Sequence, residues 1–211
     1  MRRQHRFGPA RNGLYDALRT PMLVALALAI GFGGAILSTL YILNATIGFG
    51  AVDVGPWRAF PTRASASADF YAKAHRAREG ILLYGEAEGL VFIAGRDSGG
   101  QPLTGNCTYA VSGLTPPARF WTLVALGKDA QTLKPATGIP GAINALNVLR
   151  AEDGRFSITV SALAATGNWL AIENEGPFRL RLTLIDTPVS SSSGISALEM
   201  PVITRTDCRH A

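Results

Sequence analysis

The chain has 211 residues, of which 47% are hydrophobic and 17% are charged, and its formal net charge is +5. The first twenty residues carry five arginines and one acid, whereas residues 51–211 carry 15 basic and 14 acidic side chains. The part after residue 50 is therefore nearly neutral. Because it has no basic stripe with interleaved aromatic residues, the sequence argues against nucleic-acid binding.

An apolar segment follows the basic leader. Residues 22–49 contain no charged side chain, and about 20 such residues suffice to cross a bilayer. Arginines precede this segment and Asp53 follows it, so the positive-inside rule places the N-terminus in the cytoplasm. The predicted organisation, in the bacterial inner membrane, is a cytoplasmic leader (1–21), a transmembrane anchor (22–47), a linker (48–66) and a periplasmic domain (67–211).

A cleaved secretory signal is the alternative interpretation of the same segment. Its apolar region would be about 7–15 residues long and closely followed by a site of small residues. The apolar run here is longer, and the small-residue cluster at 64–68 comes late. The sequence favours a retained anchor.

One short helix is predicted at the start of the domain. Ser67 can cap it, Asp69 suits its first turn and Gly80 can end it. From Phe70 onward, apolar residues recur at 4-3-4 spacing and make one stripe, formed by Phe70, Ala74, Ala77 and Ile81.

The remaining sequence changes to the period of β-strands. Alternation is strict in 156–161 and 178–184, and the other strand candidates are 90–94, 106–111 and 120–126. Asp153-Gly154 predicts a hairpin turn between residues 148–149 and Phe156, residues 136–147 form a short helix or a loop, and Pro188 is expected to end the last long strand. The predicted fold is mainly β: an antiparallel, jelly-roll-like β-sandwich with one N-terminal transmembrane helix and one additional short helix.

Five segments occur in a familiar order. They are GGQPLTGNCTY (99–109), PPARFWTL (116–123), EDGRF (152–156), NWL (168–170) and the strand 178–184. In content and order they resemble the DUF1214 family, and most closely its short membrane-anchored version in alphaproteobacteria. The resemblance implies a jelly-roll sandwich in the cell envelope and no settled activity. The hydrophobic-then-proline continuation after NWL is replaced here by Ala171-Ile172-Glu173.

The chain has two cysteines, Cys107 and Cys208. In an oxidising compartment they could form a disulfide, which the predicted location favours, while two unpaired thiols are the alternative. The cysteines and His210 lack the spacing of a metal site, so no metal or cofactor is predicted.

Candidate catalytic residues are few. His75 is the one histidine between the leader and the C-terminal tail, and it precedes Glu79 by one helical turn. Glu86 and Glu88, two apart, could serve as paired carboxylates in a carbohydrate hydrolase. Residues in such patterns more often lie exposed on the surface without a catalytic role.

Asn168 and Trp169 are the candidate ligand-binding residues. An asparagine amide donates and accepts hydrogen bonds, and an exposed tryptophan can line a groove, as glycan or peptide recognition requires. Alternatively, Trp169 covers one end of the sandwich and Asn168 holds the loop backbone.

The sequence therefore favours a binding or interaction module of the cell envelope. Its expected partners are the membrane and an envelope protein or glycan. An envelope hydrolase acting through a carboxylate and a structural subunit of a membrane complex are the alternatives.

Overall fold

In a computed structural model of the chain, the residues described are 13–45, 51–59, 89–127, 130–133, 141–172, 176–190 and 198–208, with isolated positions at 61, 73, 77, 135 and 139. The chain divides into two compact units, residues 1–47 and residues 48–211. The short helix predicted over 67–80 lies outside the described residues, apart from two isolated positions.

The described residues of the first unit form a helix, α1 (Gly13–Ala45). Its segment Leu18–Ile42 has a mean hydropathy of 2.2, and none of it is buried within the protein. A helix that is apolar all round and uncovered is suited to lipid. Among the described residues, α1 alone is long and apolar enough to cross a membrane, and a secretory signal would share these properties.

The described residues of the second unit form ten strands in two sheets, which confirms the mainly β prediction. A six-stranded sheet has the order β1-β2-β3-β9-β5-β6, and a four-stranded sheet has the order β10-β4-β7-β8. The strands are β1 (Val52–Val54), β2 (Trp57–Ala59), β3 (Gly89–Ala94), β4 (Cys107–Gly113), β5 (Phe120–Leu126), β6 (Ala142–Asn144), β7 (Phe156–Ser161), β8 (Asn168–Ala171), β9 (Arg179–Ile185) and β10 (Val202–Cys208).

The core forms because strands of both sheets alternate between buried and more exposed side chains, and the buried ones pack together in one cluster. In β7, Phe156, Ile158 and Val160 are buried while the residues between them are more exposed. Trp121 of the six-stranded sheet stacks on Phe156 with ring centroids 5.4 Å apart. Burying such apolar side chains contributes about 1.5–3 kcal/mol each, so the core accounts for most of the stability.

Pairing between strands departs from the prediction in one place. β7 and β8 are parallel, with Ile158 opposite Asn168 and Ser161 opposite Ala171. The other strand pairs among the described residues are antiparallel, so the six-stranded sheet is antiparallel and the four-stranded sheet is mixed. Alternation shows which side chains of a strand are buried, but it does not show in which direction the neighbouring strand runs. The sequence therefore could not distinguish parallel from antiparallel pairing.

Several short elements also differ from expectation. Residues 52–59, predicted as part of a linker, form the β1–β2 hairpin, and its Trp57 is fully buried. β9 ends at Ile185, just before Pro188, but it is not the last long strand because β10 follows. The turn at Asp153-Gly154 is present, but it follows an isolated bridge between Arg150 and Phe156 rather than a strand.

The strand register defines two ends of the sandwich. We call proximal the end at which residue 51 enters β1, because β3 and β5 also begin there. We call distal the end at which β4 and β9 begin. The contact of Trp121 with Phe156 joins the sheets toward the proximal end, and the contact of Tyr109 with Phe178, 5.8 Å between centroids, joins them toward the distal end.

Candidate functional site

Three of the predicted site residues, His75, Glu86 and Glu88, lie outside the described residues. Their catalytic assignment therefore stays a prediction. Within the part of the chain that is described, no group of three histidine, cysteine or acidic side chains could hold a metal ion.

The two cysteines form a disulfide at the distal end. The Sγ atoms of Cys107 and Cys208 are 2.00 Å apart, and the two residues are 101 positions apart in the sequence. They lie opposite each other in the β4–β10 pair. The bond thus ties an edge strand near the C-terminus to a strand whose alternate side chains lie in the core.

A buried carboxylate reinforces the same edge. Asp97 is 5% exposed, and its Oδ2 is 3.2 Å from Nε of Arg205 in β10. Its Oδ1 accepts a hydrogen bond from the backbone N–H of Gln101. Both carboxylate oxygens therefore have partners within the protein.

Arg205 links Asp97 to the core. Its guanidinium lies 5.5 Å from the ring centroid of Tyr109, and its Nη2 donates to the carbonyl oxygen of Pro102 at 2.8 Å. The neighbouring Ser98 and Ile203 exchange two further hydrogen bonds, one of them from Ile203 N–H to the Ser98 hydroxyl. We call Asp97, Ser98 and Arg205, together with the disulfide, the distal lock.

A shallow cleft of about 420 Å³ lies beside this lock. Its lining includes Asp97, Gln101 and Thr204. Because Asp97 and Arg205 form an ion pair and each is hydrogen-bonded to loop backbone, their geometry serves the attachment of β10 to the loop after β3.

Asn168 at the proximal end is fully engaged with backbone. Its Oδ1 accepts from Leu149 N–H at 2.6 Å, and its Nδ2 donates to the carbonyl oxygens of Leu149 and Ser157 at 2.8 and 3.0 Å. This arrangement matches the alternative in which Asn168 holds a loop. Its role in ligand binding stays a prediction.

Trp169 lies beside the crossover between β7 and β8. Its indole N–H donates to the carbonyl oxygen of Ser161 at 3.1 Å, and the residue is partly buried. The polar atom of the side chain is used within the sandwich, while part of the residue remains accessible.

The loop held by Asn168 carries two exposed leucines. We call residues 144–150 the leucine loop. Leu146 is 87% exposed and Leu149 is 67% exposed. Asn144 fixes the other side of the loop, because its Oδ1 accepts from the backbone N–H groups of Leu146 and Asn147.

A second cleft, of about 350 Å³, opens at the proximal end near the start of β10. We call it the proximal cleft. Phe156, Met200 and Val202 supply apolar lining, while Arg155 and Glu199 supply charge. The guanidinium of Arg155 is 3.6 Å from the Glu199 carboxylate and 3.4 Å from that of Asp153. Apolar lining with a few polar groups is the usual composition of a ligand pocket.

The sequence did not indicate the Asp97–Arg205 pair of the distal lock or the proximal cleft. Asp97 lies in a turn after β3, and its partner Arg205 is over 100 residues away in the chain. The β-branched run at 202–204 is the signal that could have revealed β10.

Comparisons with known proteins agree with the fold. The chain is similar to the crystal structure of the VPA0106 protein of Vibrio parahaemolyticus, with a TM-score of 0.57 and 16% identity over 97% of this chain and 47% of that one. It spans about half the length of that structure. A second similar structure is an uncharacterised protein of Burkholderia cenocepacia, with a TM-score of 0.41 and 20% identity over 58% of this chain and 31% of that one.

A search of the curated proteins found no match. Residues 88–189 match the model of DUF1214, a family of proteins of unknown function. This range runs from the start of β3 to the 3₁₀ turn after β9 and contains the motifs on which the resemblance was based. Over these residues, just under half of the chain, the sequence matches the DUF1214 family.

Proposed function

We propose that this protein is a membrane-anchored binding module of the bacterial cell envelope, with its β-sandwich in the periplasm. The observation that carries the location is the Cys107–Cys208 disulfide in a domain that follows an apolar helix. Disulfides persist in oxidising compartments such as the periplasm. The arginine-rich flank of α1 supports the same orientation.

We further propose the proximal cleft as the ligand site. Its apolar lining favours the burial of a hydrophobic group, and the pair formed by Arg155 and Glu199 offers one group for a carboxylate and one for an ammonium. Both side chains are more than half exposed, so a ligand can reach them. This chemistry suits a peptide segment of another envelope protein.

Orientation is tested with reporters fused after Ala211. An alkaline phosphatase fusion is expected to be active and a β-galactosidase fusion inactive, because only the former functions after export. The reverse result would place the domain in the cytoplasm and contradict the proposal.

Binding is tested by photo-crosslinking in intact cells. A benzoylphenylalanine at Val202, a lining residue that is 48% exposed, should give a discrete adduct with an envelope protein. Leu163, 58% exposed and outside the proximal cleft, is the matched control. The adduct should weaken when Arg155→Ala is added. Equal adduct patterns at the two positions would refute the proximal cleft as the site.

A further inference from the structure

We infer that the leucine loop contacts the lipid surface of the membrane in which the chain is anchored. This inference rests on the proposed membrane anchor but not on the proposed ligand. It starts from the exposure of Leu146 and Leu149, two large apolar side chains within four residues. Exposed apolar groups that lie together mark surfaces for proteins or membranes.

The loop that presents these leucines is built rather than loosely connected. Asn144 binds the N–H groups on the Leu146 side, and Asn168 binds both backbone groups of Leu149. Asn144 also accepts, through its carbonyl oxygen, from the N–H of Val148 at 3.1 Å. The two leucines are therefore held outward by a fixed backbone, which lowers the entropy that ordering the loop against a surface would otherwise cost.

The register places this loop at the end where the chain arrives from α1. Asn144 lies opposite Thr122, which lies opposite Thr183, which in turn lies opposite Val91. Continuing this row across β2 places residue 51, which immediately precedes Val52 of β1, at the same level of the sheet as Asn144. Leu146 lies beyond this row toward the proximal end, because Ala145 donates its N–H to the carbonyl oxygen of Trp121 and the chain continues past it in that direction.

The distance to the bilayer is limited by the chain itself. Six residues lie between the end of α1 at Ala45 and the start of β1 at Val52. Even a fully extended chain of this length spans at most about 25 Å. The start of β1, at the proximal end, is therefore tethered within about 25 Å of the end of α1.

Lipid is favoured over a partner protein because the tether makes it unavoidable. The short tether to the start of β1 gives every anchored molecule a high local concentration of bilayer. Leucine side chains partition into the boundary between headgroups and acyl chains without needing a shaped pocket.

The test uses the full chain in vesicles of phosphatidylethanolamine and phosphatidylglycerol. Leu146→Cys is labelled with the environment-sensitive dye NBD without reductant, so that the native disulfide stays intact. Leu163→Cys is the matched control: it is an exposed leucine in the segment that follows the distal end of β7. Flotation of each labelled protein with the vesicles is measured in parallel.

We expect the NBD emission at position 146 to shift to shorter wavelength and to be quenched by nitroxide-labelled lipid. At position 163 the emission should stay that of a dye in water. Adding Leu149→Ser should reduce the shift at position 146. Unfolding of each variant in detergent should match the parent protein, since both sites are exposed.

Two different failures are distinguishable. If the protein floats with the vesicles but the probe at position 146 behaves like that at position 163, the lipid contact is refuted and the anchor stands. If the protein does not float, the proposed anchor fails and the lipid contact fails with it.

Discussion

The two ends of the sandwich are built differently. At the distal end a disulfide, a buried carboxylate and a guanidinium stacked near Tyr109 attach the edge strand β10 to the rest of the domain. At the proximal end two asparagines hold a loop outward, and a shallow cleft has an apolar lining with charged side chains. At the distal end the polar groups contact one another and the backbone within the domain, whereas at the proximal end leucines and charged side chains are exposed.

Under the two proposals above, this difference separates the residues that stabilise the fold from those that contact lipid or ligand. Strong restraints at one end allow the other to expose leucines and an open cleft without loosening the fold. Substitutions at the distal end should therefore change the free energy of unfolding, whereas exposed residues at the proximal end should change contacts with lipid or ligand.

The largest effect is expected from removing the disulfide. The combined variant Cys107→Ser and Cys208→Ser should lose about 4–5 kcal/mol of unfolding free energy, because the bond closes a loop of about 100 residues in the unfolded chain. Urea unfolding with and without reductant measures this loss. Reductant should destabilise the parent protein and leave the variant unchanged; equal sensitivity in both would contradict the role assigned to the bond.

The next effect concerns the ion pair of the distal lock. Arg205→Met should lower the unfolding free energy by about 2–3 kcal/mol, because it leaves the buried Asp97 carboxylate without its cation. The control is Arg119→Met at the proximal end, whose pair with Asp186 is largely exposed and should change stability by less than about 0.5 kcal/mol. Similar losses in the two variants would remove the distinction between the ends.

A smaller effect is expected at the base of the leucine loop. Asn168→Ala removes three hydrogen bonds to backbone and should cost about 1–2 kcal/mol. Hydrogen exchange of the Leu149 amide should accelerate in the variant. If Asn168 acted only on a ligand, unfolding would be unchanged and ligand binding alone would fall.

The smallest effect is expected at the β1–β2 hairpin. A hydrogen bond from Arg58 holds the pKa of Asp53 below its ordinary value of 3.8. Because the folded-state pKa is lowered, the contribution is present above the ordinary pKa and is lost as the pH falls through the lowered one. Both side chains are exposed, so the stability contribution is less than about 0.5 kcal/mol.

The measurement is the unfolding free energy of Asp53→Asn and of the parent protein across pH. The difference between them should exist at neutral pH and disappear in acid, where Asp53 is protonated in both states. A difference that persisted in acid would point to packing rather than charge.

Much of the fold could be predicted from local patterns. Strict alternation located β7 and β9, the apolar run located β3, and the absence of charge over residues 22–49 located α1. These signals are local because each depends on one element meeting apolar surroundings on a defined face. The core position of Trp121 was predictable for the same reason.

The candidate sites were less predictable. Asn168 was predicted to bind a ligand or to hold a loop, and its main hydrogen-bond partner, Leu149, lies 19 positions earlier. Asp97 and Arg205 meet only because β10 returns to the edge of β4. No local pattern reports such an encounter.

By itself, the sequence determined which segments are apolar, which alternate, where the charge lies and that two cysteines are available to pair. Only the tertiary structure decided that β7 and β8 run parallel, that β10 closes the four-stranded sheet, and that Leu146 and Leu149 share an end with the start of β1. The physical reason is that burial depends on a residue and its near neighbours, whereas strand order and register depend on which distant surfaces fit together.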